Sequence, residues 1–199
     1  MSALIVLGAG GHAKVVAEVA TLVGHDVQAF VDEGGERVGT VIHGIPVVGS
    51  LTDVPHLPVA LGIGDNAARL GRYRSLVDAG RTVVTLVHPR AVVSPTATLG
   101  AGTVVVAGAV INCDARIGAA VLLNTGSSAG HDCQVGDGAH LGPGGQLAGG
   151  VILGVGVFMG VGAVVIPFRS IGDWAVCGAG SVVVHDIAPG RIVKGVPAR

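Results

Sequence analysis

The chain has 199 residues, of which half are apolar, 35 are glycine and only 3% aromatic; its net charge is −1 and its mean hydropathy +0.70. No uninterrupted apolar run approaches the roughly 20 residues a membrane-crossing helix needs; Asp114, Arg116, Asp132 and Asp137 break the most hydrophobic region, and no basic leader precedes the first apolar stretch, so a soluble protein without a signal peptide is expected. The near-neutral charge offers nothing to nucleic acid or an anionic membrane, and with so few rings small side chains must fill a closely stacked core.

In chain order, Ala3–Leu7 reads as a buried strand and Gly8-Ala9-Gly10-Gly11 as a turn. His12–Val23 is helical, with Val15, Val16, Val19, Ala20 and Val23 on one side. Val27–Val31 is a second strand ending at Asp32-Glu33, and Val38–Val48 is an irregular loop or hairpin. Val59–Leu61 is a third strand; Gly62-Ile63-Gly64-Asp65-Asn66 leads from it into a helix from about Ala67 to Ala79, and Thr82–Leu86 closes the unit. Strands alternating with helices predict a small parallel sheet of Rossmann type over residues 1–86.

The turn at Gly8–His12 follows a strand and opens a helix, the context in which free N–H groups and a helix dipole favour a pyrophosphate. Asp32 lies 22 residues beyond Gly10, at the end of the second strand, where its carboxylate can accept hydrogen bonds from a nucleoside. Nicotinamide redox chemistry fits poorly, because residues 1–86 are too few for both mononucleotide halves and a catalytic domain.

From Val87 the chain repeats every six residues. Val87, Val93, Leu99, Val105, Ile111, Ile117, Leu123 and Ala129 begin a series that runs to Cys177; all 16 members are apolar and 14 are Val, Ile, Leu or Met. The next residue is glycine in nine of the 16 hexads, and the fifth position is small or β-branched everywhere except Arg169. A hexad describes a short strand and then a tight turn, where glycine or asparagine after the strand can adopt φ > 0. Three units make a triangular coil of 18 residues, and stacked coils form a parallel β-helix. Residues 87–182 provide a little over five coils and carry only seven charges. No low-complexity linker separates this second domain, 87–199, from the first.

Polar residues are sparse in the coils. The densest stretch is Asn124-Thr125-Gly126-Ser127-Ser128-Ala129-Gly130-His131-Asp132-Cys133, with His140 nine residues beyond His131. A histidine on a stacked surface serves either as a hydrogen-bonding strut or as a proton acceptor near neutral pH. The central coils offer His131 and His140 but no third histidine for a zinc site, so no metal is expected. Cys113, Cys133 and Cys177 match neither zinc nor disulfide spacing and lack a basic partner, which favours packing roles and a reducing cytoplasm.

Taken together, Gly8–His12, Asp32-Glu33, Gly64-Asp65-Asn66, Asn124-Thr125, Gly130-His131-Asp132-Cys133, His140 and the closing Gly195-Val196-Pro197-Ala198-Arg199 carry a resemblance along the whole chain. It resembles the PglD- and NeuD-like nucleotide-sugar acetyltransferases, including perosamine N-acetyltransferases, of the hexapeptide-repeat acyltransferase superfamily. The resemblance implies a left-handed β-helix, a homotrimer and acetyl-CoA as donor. It implies transfer of acetyl to the amino group, at C4, of a nucleotide-linked amino sugar. By the same resemblance His131 is the general base and Asp132 its partner, where that family has glutamate. Gly10, Gly11, His12, Asp32, Glu33, Gly64 and Asn124 contact the nucleotide sugar, and His140, Gly149, Val161 and Ala179 contact acetyl-CoA. Two other readings of the coils stand beside this one: O-acetylation of sialic acid or another sugar, and a β-helical scaffold without activity.

Overall fold

The computed structural model describes residues 2–199. The first unit contains β1 (Ser2–Leu7), α1 (Gly11–Leu22), β2 (His25–Val31), β3 (Val41–Ile42), β4 (Ile45–Val48), β5 (Val59–Leu61) and α2 (Asn66–Asp78). The sheet order is β3-β4-β2-β1-β5. All neighbours run parallel except β3 and β4, which form a tight antiparallel hairpin. That hairpin resolves the Val38–Val48 segment. Its turn is made by His43 and Gly44, both at positive φ, and β4 then joins the sheet beside β2.

The central strands are apolar because both of their faces are covered. Leu4, Ile5 and Val6 are fully buried, as are Phe30, Val31 and Val59. α1 buries Ala13, Val16, Ala17, Val19 and Ala20. α2 is capped by Asp65, whose Oδ1 accepts from the Ala68 N–H at 2.8 Å, satisfying one of the free donors of its first turn. No helix among the described residues is long and apolar enough to cross a membrane.

The expected closing strand Thr82–Leu86 is divided. Val83 makes only an isolated bridge to Val59, while Leu86–Val87 already pairs with Val104–Val105 as the first strand of the coils. The strands that follow are two residues long and six apart, with the repeating apolar residue second in each and facing inward. They build a left-handed parallel β-helix with three faces. Face one has seven strands and starts at Leu86–Val87; face two has six and starts at Val92–Val93; face three has five and starts at Thr98–Leu99. Its 18 strands make six coils where a little over five were expected. The register runs unbroken to Val182–Val183. Ile187 then bridges Ile171, and Val193 pairs with Cys177 rather than with a residue 18 positions away, so the last coil is shortened.

The turns correct one expectation. The glycines directly after each strand do not adopt positive φ. They are required because coils stack too closely for a side chain: a Cβ on Gly136 would lie 2.6 Å from the Gly154 carbonyl carbon, and one on Gly130 2.7 Å from that of Ala148. From the third hexad onward the left-handed residue is the fourth, as at Gly102, Gly108, Gly126, Gly138 and Gly162. Asp114, Ala120, Asp132, Phe168 and Trp174 adopt the same conformation there despite their Cβ atoms. The fifth residue points into the prism, which explains its small size: Ala109, Ala115, Ala139, Ala163 and Ala175 are fully buried.

Face one packs against the first unit. Leu86, Val104, Val106 and Leu122 join Ala13, Val16, Ala17 and Ala20 of α1 in one apolar cluster. Along the neighbouring prism edge runs α2. Thus the C-terminal ends of β1 and β5, where ligands of parallel sheets bind, lie beside the middle coils of face one.

Candidate active site

Three parts of the chain carry the candidate site, beginning with the turn between β1 and α1. Gly8 has φ +108 and packs on Gly62, so its lack of a side chain has a steric cause. Gly10 and Gly11 differ: a Cβ on either would meet nothing within 4 Å. Gly10 is the N-cap of α1 and offers no side chain to the first-turn N–H groups, and no acidic residue lies in that turn. The turn thus keeps open donors and a positive dipole end, as a phosphate requires.

Asp32 follows β2, and its Oδ2 accepts from the Arg37 N–H at 2.9 Å, holding the next loop. Glu33 is paired with Arg72 of α2, so of the two acids Asp32 retains the freer carboxylate oxygen. Gly64 has open space where a side chain would be, and its carbonyl accepts from Arg69 at 3.0 Å. With Asp65, Asn66, Phe158 and Trp174 it lines a groove of about 370 Å³ between the first unit and the coils.

The second part is the seam beneath face one. Asn124 Nδ2 lies 3.3 Å from His140 Nε2, and the His140 and Phe158 rings meet edge to face at a centroid distance of 5.1 Å. His12 Nε2 and His140 Nδ1 are both buried without a hydrogen-bond partner among the described residues. Burial, and secondarily the Arg69 guanidinium, lowers the His12 pKa to about 4. Burial, then Arg69 and His12, lowers that of His140 to about 3. Both rings are therefore neutral at physiological pH, able to donate from one nitrogen and accept at the other.

The third part is the prism edge between faces two and three. His131 and Asp132 are exposed there, with His131 Nδ1 2.7 Å from Asp132 Oδ2. Asp132 sits at the left-handed position with φ 59, a conformation that aspartate adopts more readily than most residues. With Nδ1–H donated to Asp132, Nε2 is left as an acceptor. One coil further on, a Cβ on Gly149 would lie 2.3 Å from His131 Nε2; the ring therefore lies over this bare glycine, which lets Nε2 occupy its place. Among the described residues no three of His, Cys, Asp and Glu gather as a metal site, and all three cysteines are free.

Val161 and Ala179 occupy a different edge, between faces one and two. They stack one coil apart, with the Gly180 N–H donating to the Val161 carbonyl at 2.8 Å, and both are exposed. Asn124 lies on this edge as well. The single chain thus joins Asn124 to His140 and His131 to Gly149, and separates these pairs by the width of face two. Two residues that tie α2 to the coils had no role assigned from the sequence: Asn66, quoted only as part of the Gly64-Asp65-Asn66 motif, and Arg69. Their signal was present: both fall on the buried side of α2, with Leu70 and Leu76, where a polar residue needs a partner.

A family model, the PglD N-terminal domain, matches residues 3–76. The chain is similar to perosamine N-acetyltransferase from Caulobacter crescentus, solved with CoA and GDP-perosamine. The two are 42% identical, with a TM-score of 0.93, covering 100% of this chain and 97% of that one. It is also similar to the acetyltransferase domain of PglB from Neisseria gonorrhoeae, solved with acetyl coenzyme A, at 34% identity and a TM-score of 0.93, covering 100% and 98%. WeeI from Acinetobacter baumannii matches at 26% identity and a TM-score of 0.91, covering 98% of each chain. A search of the curated proteins found no match.

Proposed function

The chain belongs to the PglD-like nucleotide-sugar N-acetyltransferases, and from that premise we propose that it transfers acetyl from acetyl-CoA to the C4 amino group of a nucleotide-linked amino sugar. The carrying observation is the full-length match, at 42% identity, to a perosamine N-acetyltransferase holding CoA and GDP-perosamine. The exposed His131–Asp132 pair, held at 2.7 Å, supplies the matching chemistry. An O-acetyltransferase would share the coils, but the relatives favour nitrogen as the acceptor.

The open turn at Gly10, Gly11 and His12 receives the pyrophosphate, and Asp32 with Glu33 and Gly64 lines the path of the nucleotide. The sugar's amine attacks the thioester carbonyl; the new C–N bond forms as the C–S bond breaks. His131 Nε2 accepts the amine proton, and the CoA thiolate leaves to be protonated as the free thiol. Asp132 fixes the imidazole tautomer and stabilises the cation that forms. His140, neutral and beside Asn124, supplies an N–H toward the carbonyl oxygen as negative charge develops.

Because His131 and Gly149 lie on one prism edge and Val161 and Ala179 on another, a groove between two copies unites them most simply. A homotrimer with three such grooves is the assembly this reading requires. Its setting is the cytoplasm, where acetyl-CoA is made and thiols stay reduced.

The test is product analysis. Purified protein is incubated with acetyl-CoA and either GDP- or UDP-linked 4-amino-4,6-dideoxy sugars, with hydroxyl analogues alongside. The amine should gain one acetyl group as CoA thiol is released. Acetylation of the hydroxyl analogue alone would transfer the assignment to O-acetylation, and absence of both products would reject acetyl transfer to these sugars.

A further inference from the structure

Arg69 is only 1% exposed, yet among the described residues no carboxylate lies within ion-pair distance of it. Removing a guanidinium from water costs several kcal/mol even after relaxation, about what a well-packed apolar residue would avoid. The seam is otherwise welded by such residues, Leu70 beneath Gly138 among them. Adhesion alone therefore does not account for a cation here.

What the guanidinium does is specific to its fork. Nε donates to the Ala120 carbonyl at 2.8 Å. One terminal nitrogen donates to the carbonyls of Ile63 at 3.2 Å and Gly64 at 3.0 Å. The other donates to Asn66 Oδ1 at 3.0 Å and to the carbonyls of Gly138 at 2.9 Å and Ala139 at 3.3 Å. Asn66 in turn donates to the carbonyls of Gly156 and Val157. One side chain thus grips the loop between β5 and α2 and the corners of two successive coils, the second leading directly into His140.

We propose that Arg69 is a positioning residue for acetyl transfer, locking the Gly64 loop that borders the sugar to the coil corner that presents His140. The proposal rests on the acetyltransferase reading of this site. Its charge has a second consequence. Arg69 lies near enough to His12, at the start of α1, and to His140, on face one, for its charge to act on both rings; His12 acts likewise on His140, and Asp65 is the acid near the guanidinium. Burial first, and the cation after it, oppose protonation of both rings, so each keeps an acceptor nitrogen as well as a donor.

Two variants separate shape from charge. Arg69→Lys keeps the charge and loses the planar fork, and Arg69→Gln loses both. Each is compared with wild type for kcat, for KM of both substrates, for pH profile and for melting temperature. Both variants should lower kcat about tenfold or more, as misplacement of reacting groups does, and raise KM for the nucleotide sugar while leaving that for acetyl-CoA within about twofold. Arg69→Gln should add an acidic limb to the profile as a seam histidine titrates closer to its ordinary pKa of about 6.5. A folded Arg69→Gln with wild-type kcat, KM values and pH profile, changed only in melting temperature, would overturn the proposal.

If neither variant folds, NMR of histidine-labelled wild-type protein decides. The arrangement requires that the His12 and His140 rings stay neutral below about pH 5, burial contributing more to this than Arg69, and a ring charging near pH 6.5 overturns it. Failure of wild type to acetylate any amino sugar would instead overturn the functional reading; the ring titration still tests whether the seam keeps both rings neutral, to which burial contributes more than Arg69.

Discussion

At the scale of single residues, His131 and the glycine beneath it divide the work of the proposed base. Replacing His131 with alanine removes the proton acceptor from an exposed edge, so kcat should fall about 10²–10⁴-fold with modest changes in either KM, while circular dichroism and melting temperature stay near wild type. Near-normal kcat at saturating substrates would sink the mechanism. Gly149→Ala is subtler. Its Cβ would meet the His131 ring at 2.3 Å, and that ring, exposed on its other side, can swing away. Stability should change little while kcat falls about tenfold or more, because the base is displaced by roughly the 1 Å or so that costs such factors. A stable Gly149→Ala protein with full activity would show that Nε2 does not work from this position.

At the scale of the strand and turn, the two kinds of coil glycine predict different responses. Gly162 has φ +66 and nothing within 4 Å of a built Cβ, so only its left-handed backbone matters. Gly162→Ala should cost about 1–2 kcal/mol, and Gly162→Asn less, because asparagine tolerates that region. Gly136 has an ordinary φ but faces the backbone of the next coil at 2.6 Å. Gly136→Ala should cost about 1–3 kcal/mol through overpacking, and asparagine should be no better. Urea denaturation of the four variants checks this; rescue by asparagine at Gly136 would contradict the close-approach account. The hexad pattern was legible because burial alternates with it, but its glycines were given the wrong reason. A sequence shows that side chains are absent, and only stacked coordinates show whether torsion or clearance demands the absence.

At the scale of the whole molecule, the seam between the first unit and face one links folding to pH. Folded His12 and His140 hold pKa values of about 4 and 3, whereas an unfolded chain protonates its histidines near 6.5. Between these limits the unfolded state binds more protons, so stability is full above about pH 6.5 and falls as pH drops through the window. The melting temperature should decline from about pH 7 to pH 5, and His140→Gln should reduce the slope. A melting temperature that rises on acidification would contradict neutral burial of these rings.

Periodicity alone determined the β-helix, since a triangular coil of two-residue strands must show an apolar residue every six, and the run from Val87 to Cys177 does. Alternation of apolar strands and helices likewise determined the small parallel sheet, and residue types at quoted motifs carried the resemblance to a family. The tertiary structure decided what lies far apart in the chain. Arg69 and Asn66 share one side of α2 with Leu70 and Leu76, but their partners, carbonyls 51 to 91 positions away, emerge only when α2 is laid along the prism. The structure also separated His131 from the Val161–Ala179 edge, placed His140 in the seam, and set Glu33 against Arg72. Local sequence specifies which way a side chain faces within its own element; the identity of the group it meets depends on how elements pack.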